Sequence, residues 1–339
     1  MLTNILYHFF FLTLFFQGIE PQDLKRFEYE SPHMGTLFRI ILYAPDEATA
    51  KSASHAAFQK VEVLNEIMSD YISDSELNEL SATSGTGKAV RVSPSLFFVL
   101  KKAEEFSRIT DGAFDITMGP YIQLWREMHK DENPQLPDDS TMAEFGSKVG
   151  YTNIKFNEKD HSVQLTQEDM LLDLGGIAKG YAADEALSII QEFGISSVLV
   201  DAGGDIMLGD PPPDQDGWKI VIPTHNKENR SGYIELTLSN KAITTSGDLF
   251  QYVEIDGRRY SHIINPRTGL GVTEAITTTI IAPDGITADA YASALNVMGP
   301  SSGMKFAEQE SDIAVYIEYL HDDKIEIKTT PSFEALLDF

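Results

Sequence analysis

The stretch DLGGIAKGYAAD, Asp173 to Asp184, sets one lysine among three glycines at the mouth of a helix. Glycines there leave backbone N–H groups bare, and together with the Lys179 ammonium they suit an anion. Neither standard phosphate loop fits. A dinucleotide fingerprint needs G-x-G-x-x-G, whereas these glycines are Gly175, Gly176 and Gly180; a Walker loop needs Ser or Thr after its lysine, where Gly180 stands. A tight turn carrying a solvated lysine accounts for the same residues. In ITADAYASALNVMG, Asp289 and Ser293 are four apart, which places a carboxylate and a hydroxyl on one helix face. Hard oxygens of this kind suit magnesium, which keeps waters and shares its shell with phosphates. The plainer reading is a first-turn aspartate favoured by the helix dipole. In YSHIINPRTG, His262 can serve as a general base and Arg267 can meet a phosphate, or the histidine is structural. SGTGK, Ser84 to Lys88, has no apolar strand before it and reads as a loop.

The elements that must position these residues follow from periodicity. TLFRIILYA reads as a strand, and Glu47 to Tyr71 carries Ala57, Val61, Leu64 and Met68 at helical spacing. SPSLFFVLKKAEEFSRITDG has Ser93 as N-cap, Pro94 in the first turn and Gly112 beyond the end. MLLDL reads as a short strand, so the glycine turn is expected at a strand-to-helix junction, with its helix stopped by Gly194. SSVLVDAGGD reads as a buried strand and tight turn. Then come YIELTL, a hairpin turning at Asp256-Gly257, the strand AITTTIIAP, a helix closed by Gly299, and a terminal hairpin. Residues 133–137 are loop-like. Helices mixed with antiparallel strands predict an α+β fold rather than a doubly wound sheet.

The chain has 339 residues with 26 basic and 52 acidic side chains, a formal net charge of −26. Such a surface repels nucleic acid and anionic lipid, so neither is expected as a partner. A polyphosphate ligand needs local cations. The absence of cysteine excludes disulfides, thiolate metal sites and thiol nucleophiles. Ile5 to Phe16 is almost wholly apolar, yet at roughly a dozen residues it is short for a membrane span. No basic residue precedes it, and Phe16-Gln17-Gly18 is not a small-residue cleavage site. Residues 1–18 are expected to act in export or as an anchor, placing the protein in the periplasm or on the exported face of a membrane. Residues 19–33, polar and with Pro21 and Pro32, read as a linker, leaving 34–339 as one domain.

Seven segments occur in one order: MGT at Met34, MSDYISDSELNEL, GAFDITMGPYIQLW, DLGGIAKGYAAD, VDAGGDI, ITTSGDLFQYVEIDGRRYSHIINPRTG and TADAYASAL. Together they make a chain that resembles the ApbE family of magnesium-dependent FAD:protein FMN transferases, from Met34 to the C-terminal region. The resemblance implies a single α+β domain with FAD in a cleft between subdomains. It implies that Asp289, Ser293 and the carbonyl of Gly176 hold Mg²⁺, with serine at Ser293 where the family usually has threonine. It makes His262 the base, and Met34, Tyr71, Ala113, Phe114, Asp115, Asp173 and Lys179 contacts to the flavin nucleotide. Asn265 stands where aspartate is frequent, and Gly271 where proline is frequent.

On that resemblance, the expected reaction moves FMN from FAD to a Thr or Ser hydroxyl of an acceptor protein and releases AMP. The acceptors expected are membrane electron-transport subunits bearing a short Ser/Thr motif. LSATSGTG near Ser81 has the right residue types in the wrong arrangement for self-modification. Two rivals are an FAD pyrophosphatase yielding FMN and AMP, and a flavin-binding protein without turnover. Tyr71 resembles the transferase type.

Overall fold

The computed structural model describes residues 23–128, 130, 134–225, 232–247 and 252–337. The apolar run at 1–18, and with it the expectation of export or anchoring, lies outside the described residues.

The described chain starts with β1 (Lys25–His33), which turns at Met34-Gly35 into β2 (Thr36–Ala44). Met34 and Gly35 both take positive φ, 48° and 73°, as a two-residue hairpin turn demands. Over Lys25–His33 the linker reading of 19–33 is therefore corrected. From Lys25 the segment alternates, with Phe27, Tyr29, Ser31 and His33 half-buried and Arg26, Glu28, Glu30 and Pro32 exposed. Charge and proline are what an outermost strand tolerates, and they disguise it as linker. Helix α1 (Glu47–Met68) is capped by the Asp46 carboxylate accepting the Thr49 N–H at 2.8 Å. After it come α2 (Glu76–Ser81), β3 (Val90–Arg91) and α3 (Pro94–Ile109), the last with the expected Ser93 cap. Helices α4 (Gly119–Met128) and α5 (Asp139–Gly146) lead to β4 (Ile154–Asn157) and β5 (Ser162–Leu165).

MLLDL is not a strand. Leu171 makes one isolated parallel bridge to Met118, and the Gly119 N–H donates to its carbonyl at 3.2 Å. With the Asp173 N–H donating to the Ile116 carbonyl at 2.8 Å, this is a pairing too short to make a ladder. It delivers the chain to α6 (Ala178–Glu192), followed by β6 (Val198–Ala202) and β7 (Asp205–Leu208). The hairpin β8 (Trp218–Pro223) and β9 (Tyr233–Leu238) precedes β10 (Ala242–Gly247). A second hairpin, β11 (Tyr252–Ile255) and β12 (Arg258–Ser261), turns at Asp256-Gly257 as expected. Then come β13 (Ile276–Ala282), α7 (Gly285–Ala307), β14 (Ala314–His321), β15 (Lys324–Thr329) and the short α8 (Pro331–Glu334). The expected stop at Gly299 is a break inside α7: Gly299 takes φ 75°, ψ 170°, and Pro300 restarts the helix, a position its fixed φ suits.

Eight strands form one sheet in the order β1-β2-β6-β7-β10-β13-β14-β15, with every neighbouring pair antiparallel. Its strands alternate cleanly: Ile280 and Ala282 of β13 face the layer of α1, α6 and α7, and Ile281 faces the cluster under the β8–β9 hairpin. A third cluster joins α4 to the β11–β12 hairpin through Trp125, Tyr260 and Ile264. The α+β expectation holds. Among the described residues no helix is long and apolar enough to cross a membrane.

Candidate active site

A cavity of about 1020 Å³ opens between the helix-backed sheet and the third cluster. Its inner corner is where α6 and α7 cross. A Cβ on Gly180 would stand 2.1 Å from the Gly285 carbonyl oxygen, so the two helices touch backbone to backbone and only glycine permits it. No side chain of its own segment caps the start of α6; instead the Gly180 N–H donates to Asp289 Oδ2 at 3.1 Å. Asp289 lies beyond the first turn of α7, whose own cap is Asp284, accepting the Thr287 N–H at 3.0 Å. The dipole explanation for Asp289 therefore fails. Asp184, one helix over, accepts the Gly285 and Ile286 N–H groups at 2.6 and 3.0 Å and locks the crossing.

Lys179 reaches into this corner, bonded to the buried carboxylate of Asp205 and 3.9 Å from Asp289 Oδ2. Burial pushes the Asp289 carboxyl upward and the Asp205 charge adds to it, while Lys179 and the Gly180 N–H pull it back. Burial alone would lower Lys179, but Asp289 and Asp205 outweigh it and raise the ammonium. Two carboxylates thus share one cation, and the corner carries surplus negative charge. Across from them, a Cβ on Gly176 would stand 2.9 Å from Ser293 Oγ, so backbone and hydroxyl close on one space. The Asp289 carboxylate and the Ser293 hydroxyl beside the Gly176 backbone are hard oxygen donors of the kind that suit a divalent ion keeping ligands from water or substrate. Among the described residues no three His, Cys, Asp or Glu side chains gather to cage a metal by themselves.

The outer wall holds Tyr71, 78% exposed, in the loop after α1. The Arg126 guanidinium from α4 lies 4.2 Å from its ring centroid. Arg126 Nη1 donates to Asp70 Oδ2 at 2.5 Å and Nη2 to Asp173 Oδ2 at 3.3 Å. Asp173 Oδ1 accepts the Gly175 N–H at 2.8 Å and so shapes the glycine turn. Burial, then the Asp70 charge, push the Asp173 carboxyl up to about 6 against Arg126 and that N–H. Met34, Ala113, Phe114 and Asp115 also line the cavity. The Asp115 carboxylate is committed to its own turn, accepting the Thr117 N–H and Oγ1–H at 2.8 and 2.7 Å and the Tyr151 N–H at 3.0 Å.

His262 follows directly on β12 and faces the cavity with an exposed ring. Its strand is held close to the returning chain at Gly271, where a Cβ would meet the Ser261 carbonyl at 2.3 Å. Asn265 Oδ1 accepts the Arg267 N–H at 2.9 Å, the bond an aspartate makes in such a turn. Arg267 is the one predicted site residue that the structure does not bring in. It lies outside the cavity lining, with Nη2 donating to Asp111 Oδ2 at 2.6 Å and to the Asp111 carbonyl at 2.8 Å. The turn faces away because Trp125 Nε1–H clamps the Gly269 carbonyl at 2.7 Å.

Three titratable lining residues escaped the sequence reading: Asp205, Arg126 and His225. Asp205 stands in the quoted VDAGGDI, where an acid after two turn glycines was a usable signal. Arg126 and His225 gave none, since their partners lie 47 to 93 residues away.

A sequence model of the ApbE family matches residues 34–317. The chain is 31% identical over 308 residues to the FAD:protein FMN transferase of Vibrio cholerae serotype O1, covering 90% of this chain and 91% of that protein. It is 27% identical over 338 residues to the FAD:protein FMN transferase of Escherichia coli K12, covering 96% and 95%. The solved flavin transferase ApbE from Vibrio cholerae superposes with a TM-score of 0.84 at 29% identity, covering 93% of this chain and all of that one.

Proposed function

The chain belongs to the ApbE family, and from that premise we propose that it transfers the FMN part of FAD to a Ser or Thr hydroxyl of an acceptor protein, releasing AMP. The observation that carries this reading is the meeting of Lys179, Asp205, Asp289, Ser293 and the glycine turn in one corner of a cavity that His262 and Tyr71 also line.

FAD is anionic and the protein is acidic, so the diphosphate needs local cations. Lys179 supplies one at the corner. The oxygens of Asp289, Ser293 and the Gly176 carbonyl would hold Mg²⁺, which when bound supplies Lewis-acid neutralisation of charge on the phosphoryl oxygens. His262 accepts the proton of the acceptor hydroxyl. That oxygen forms a bond to the FMN-side phosphorus as the bond to the AMP oxygen breaks, and AMP leaves carrying the bonding electron pair. FMN remains joined to the acceptor through its phosphate. Asp205 keeps Lys179 charged and aimed, and the α6–α7 crossing fixes the corner while the acceptor approaches.

The acceptor proposed is a membrane electron-transport subunit carrying a Ser/Thr motif, reached on the exported side; the apolar run at Ile5–Phe16 supports that location. Incubation of a candidate acceptor with this protein, FAD and Mg²⁺, followed by intact-mass spectrometry, should show an added FMN. Unmodified acceptor together with rapid AMP release would replace transfer by hydrolysis.

A further inference from the structure

We propose that Arg126 is a positioning residue that holds the Tyr71 ring as a platform on which the isoalloxazine of FAD stacks; this rests on the flavin-transfer reading above. Tyr71 belongs to no helix or strand, yet its backbone is fixed. Asn78 Nδ2 donates to the Asp70 and Ile72 carbonyls on either side of it, at 3.0 and 2.8 Å. The ring is a different matter. An aromatic side chain with 78% of its surface exposed has little packing to choose its rotamer.

Arg126 supplies that choice. Its guanidinium lies over one face of the ring, 4.2 Å from the centroid; both side chains line the cavity, and the exposure of Tyr71 leaves the other face open. A planar cation on one aromatic face is attractive in itself and more so when partly desolvated. The fork is not free to drift, because its two terminal nitrogens are taken by Asp70 and Asp173, from segments 56 and 47 residues away in the chain. Asp173 in turn fastens the Gly175 N–H at 2.8 Å. One side chain thus ties the aromatic wall to the glycine turn that carries the phosphate corner. The separation between ring platform and diphosphate site is set by rigid parts, and a dinucleotide must match it. Ordering both ends in advance lowers the entropy lost on binding.

The arrangement separates two roles of Arg126. Lysine at this position keeps a cation for Asp70 and Asp173 but offers no flat face. For Arg126→Lys, FAD affinity by calorimetry in Mg²⁺ should fall about fivefold, from the loss of the stacked cation and of the ring's fixed orientation. The induced visible circular dichroism of bound FAD should diminish. ADP, which has the diphosphate without the isoalloxazine, should bind as it does to the unaltered protein. In a Tyr71→Ala background the same substitution should cost almost nothing more, because the residue acts through the ring. Arg126→Leu should lose FAD more severely and also lower the melting temperature, since two carboxylates then face each other uncompensated. An Arg126→Lys protein that matches the parent in FAD affinity and dichroism overturns the proposal. So does an equal loss for ADP, or an undiminished loss in the Tyr71→Ala background. If the unaltered protein itself ignores FAD, the transferase reading falls and takes the platform with it.

Discussion

Lys179 and Asp289 face each other at 3.9 Å, although they lie on different helices, and Asp205 closes on the same ammonium from β7. Lysine neutralises one carboxylate and leaves the other to be answered. The corner keeps negative charge in excess, and the first expectation follows from that surplus.

Asp289→Asn keeps an acceptor for the Gly180 N–H but removes the charge. Transfer should drop by about 100-fold or more, as expected when charge stabilisation at the reacting phosphorus is lost. FAD affinity should also cease to respond to Mg²⁺ in calorimetry. Ser293→Ala should weaken that response, and Ser293→Thr should preserve it. A magnesium response in Asp289→Asn equal to that of the parent would remove Asp289 from the metal site.

The helix crossing gives a prediction about stability. Gly180→Ala puts a methyl carbon 2.1 Å from the Gly285 carbonyl oxygen, with backbone on both sides and no flexible atom to yield. The cost should be about 3 kcal/mol or more, lowering the melting temperature by roughly 4 °C or more for a chain of this size. Gly194→Ala, at a positive φ of 77° but with nothing within 4 Å, should cost clearly less. Equal melting temperatures for the two would contradict the crossing as described.

His262→Ala should leave FAD bound and cut FMN transfer by about 100-fold or more, the usual range for losing a general base. Calorimetry and acceptor mass spectrometry, run side by side, separate binding from chemistry. Full transfer by this variant would eliminate His262 as the base.

Glu318 sets a pH dependence of stability. It is buried on β14 and accepts from Thr224 Oγ1–H, from Tyr316 Oη–H at 2.6 Å, and from the His225 N–H at 3.1 Å. Burial raises its pKa, but these donors outweigh burial and leave it below the ordinary value. A depressed acid stabilises the fold above the unfolded-state pKa, and that contribution disappears as pH falls through the folded value. Glu318→Gln should therefore be less stable than the parent by about 1–3 kcal/mol at pH 7. Denaturant titrations should show the gap shrinking below the usual Glu range near 4.5. A gap that widens in acid would reverse the sign assigned here.

Local signals in the sequence carried the four longest helices, α1, α3, α6 and α7, and singled out Lys179, Asp289, Ser293 and His262. Ser93 and Pro94 announce α3, Asp256-Gly257 announces its hairpin, and the four-residue spacing of Asp289 and Ser293 survives into one helix face. Strand alternation was legible where one face is greasy, as in TLFRIILYA, and illegible in β1, where charges and Pro32 occupy the solvent side. Pairing across long stretches of chain was the main loss. Nothing near Arg126 points to Tyr71 or Asp173, and nothing near Glu318 points to His225, since each contact exists only after the sheet and helices have closed. Arg267 failed for the opposite reason. Its turn was read rightly, but the direction of that turn depends on Trp125, which comes from α4.

The β1–β2 hairpin has a mechanical consequence. Its turn, Met34-Gly35, sits at the cavity, while Lys25 pairs with Ala44 at the opposite end of nine registered pairs. A nine-residue strand is about 30 Å long. Whatever precedes Lys25 thus joins the fold about 30 Å from the cavity rim. Tension on that leader loads the ladder lengthwise, in shear, so that all its rungs resist together. A tethered molecule could be tugged by its leading end without the pull reaching the substrate's berth.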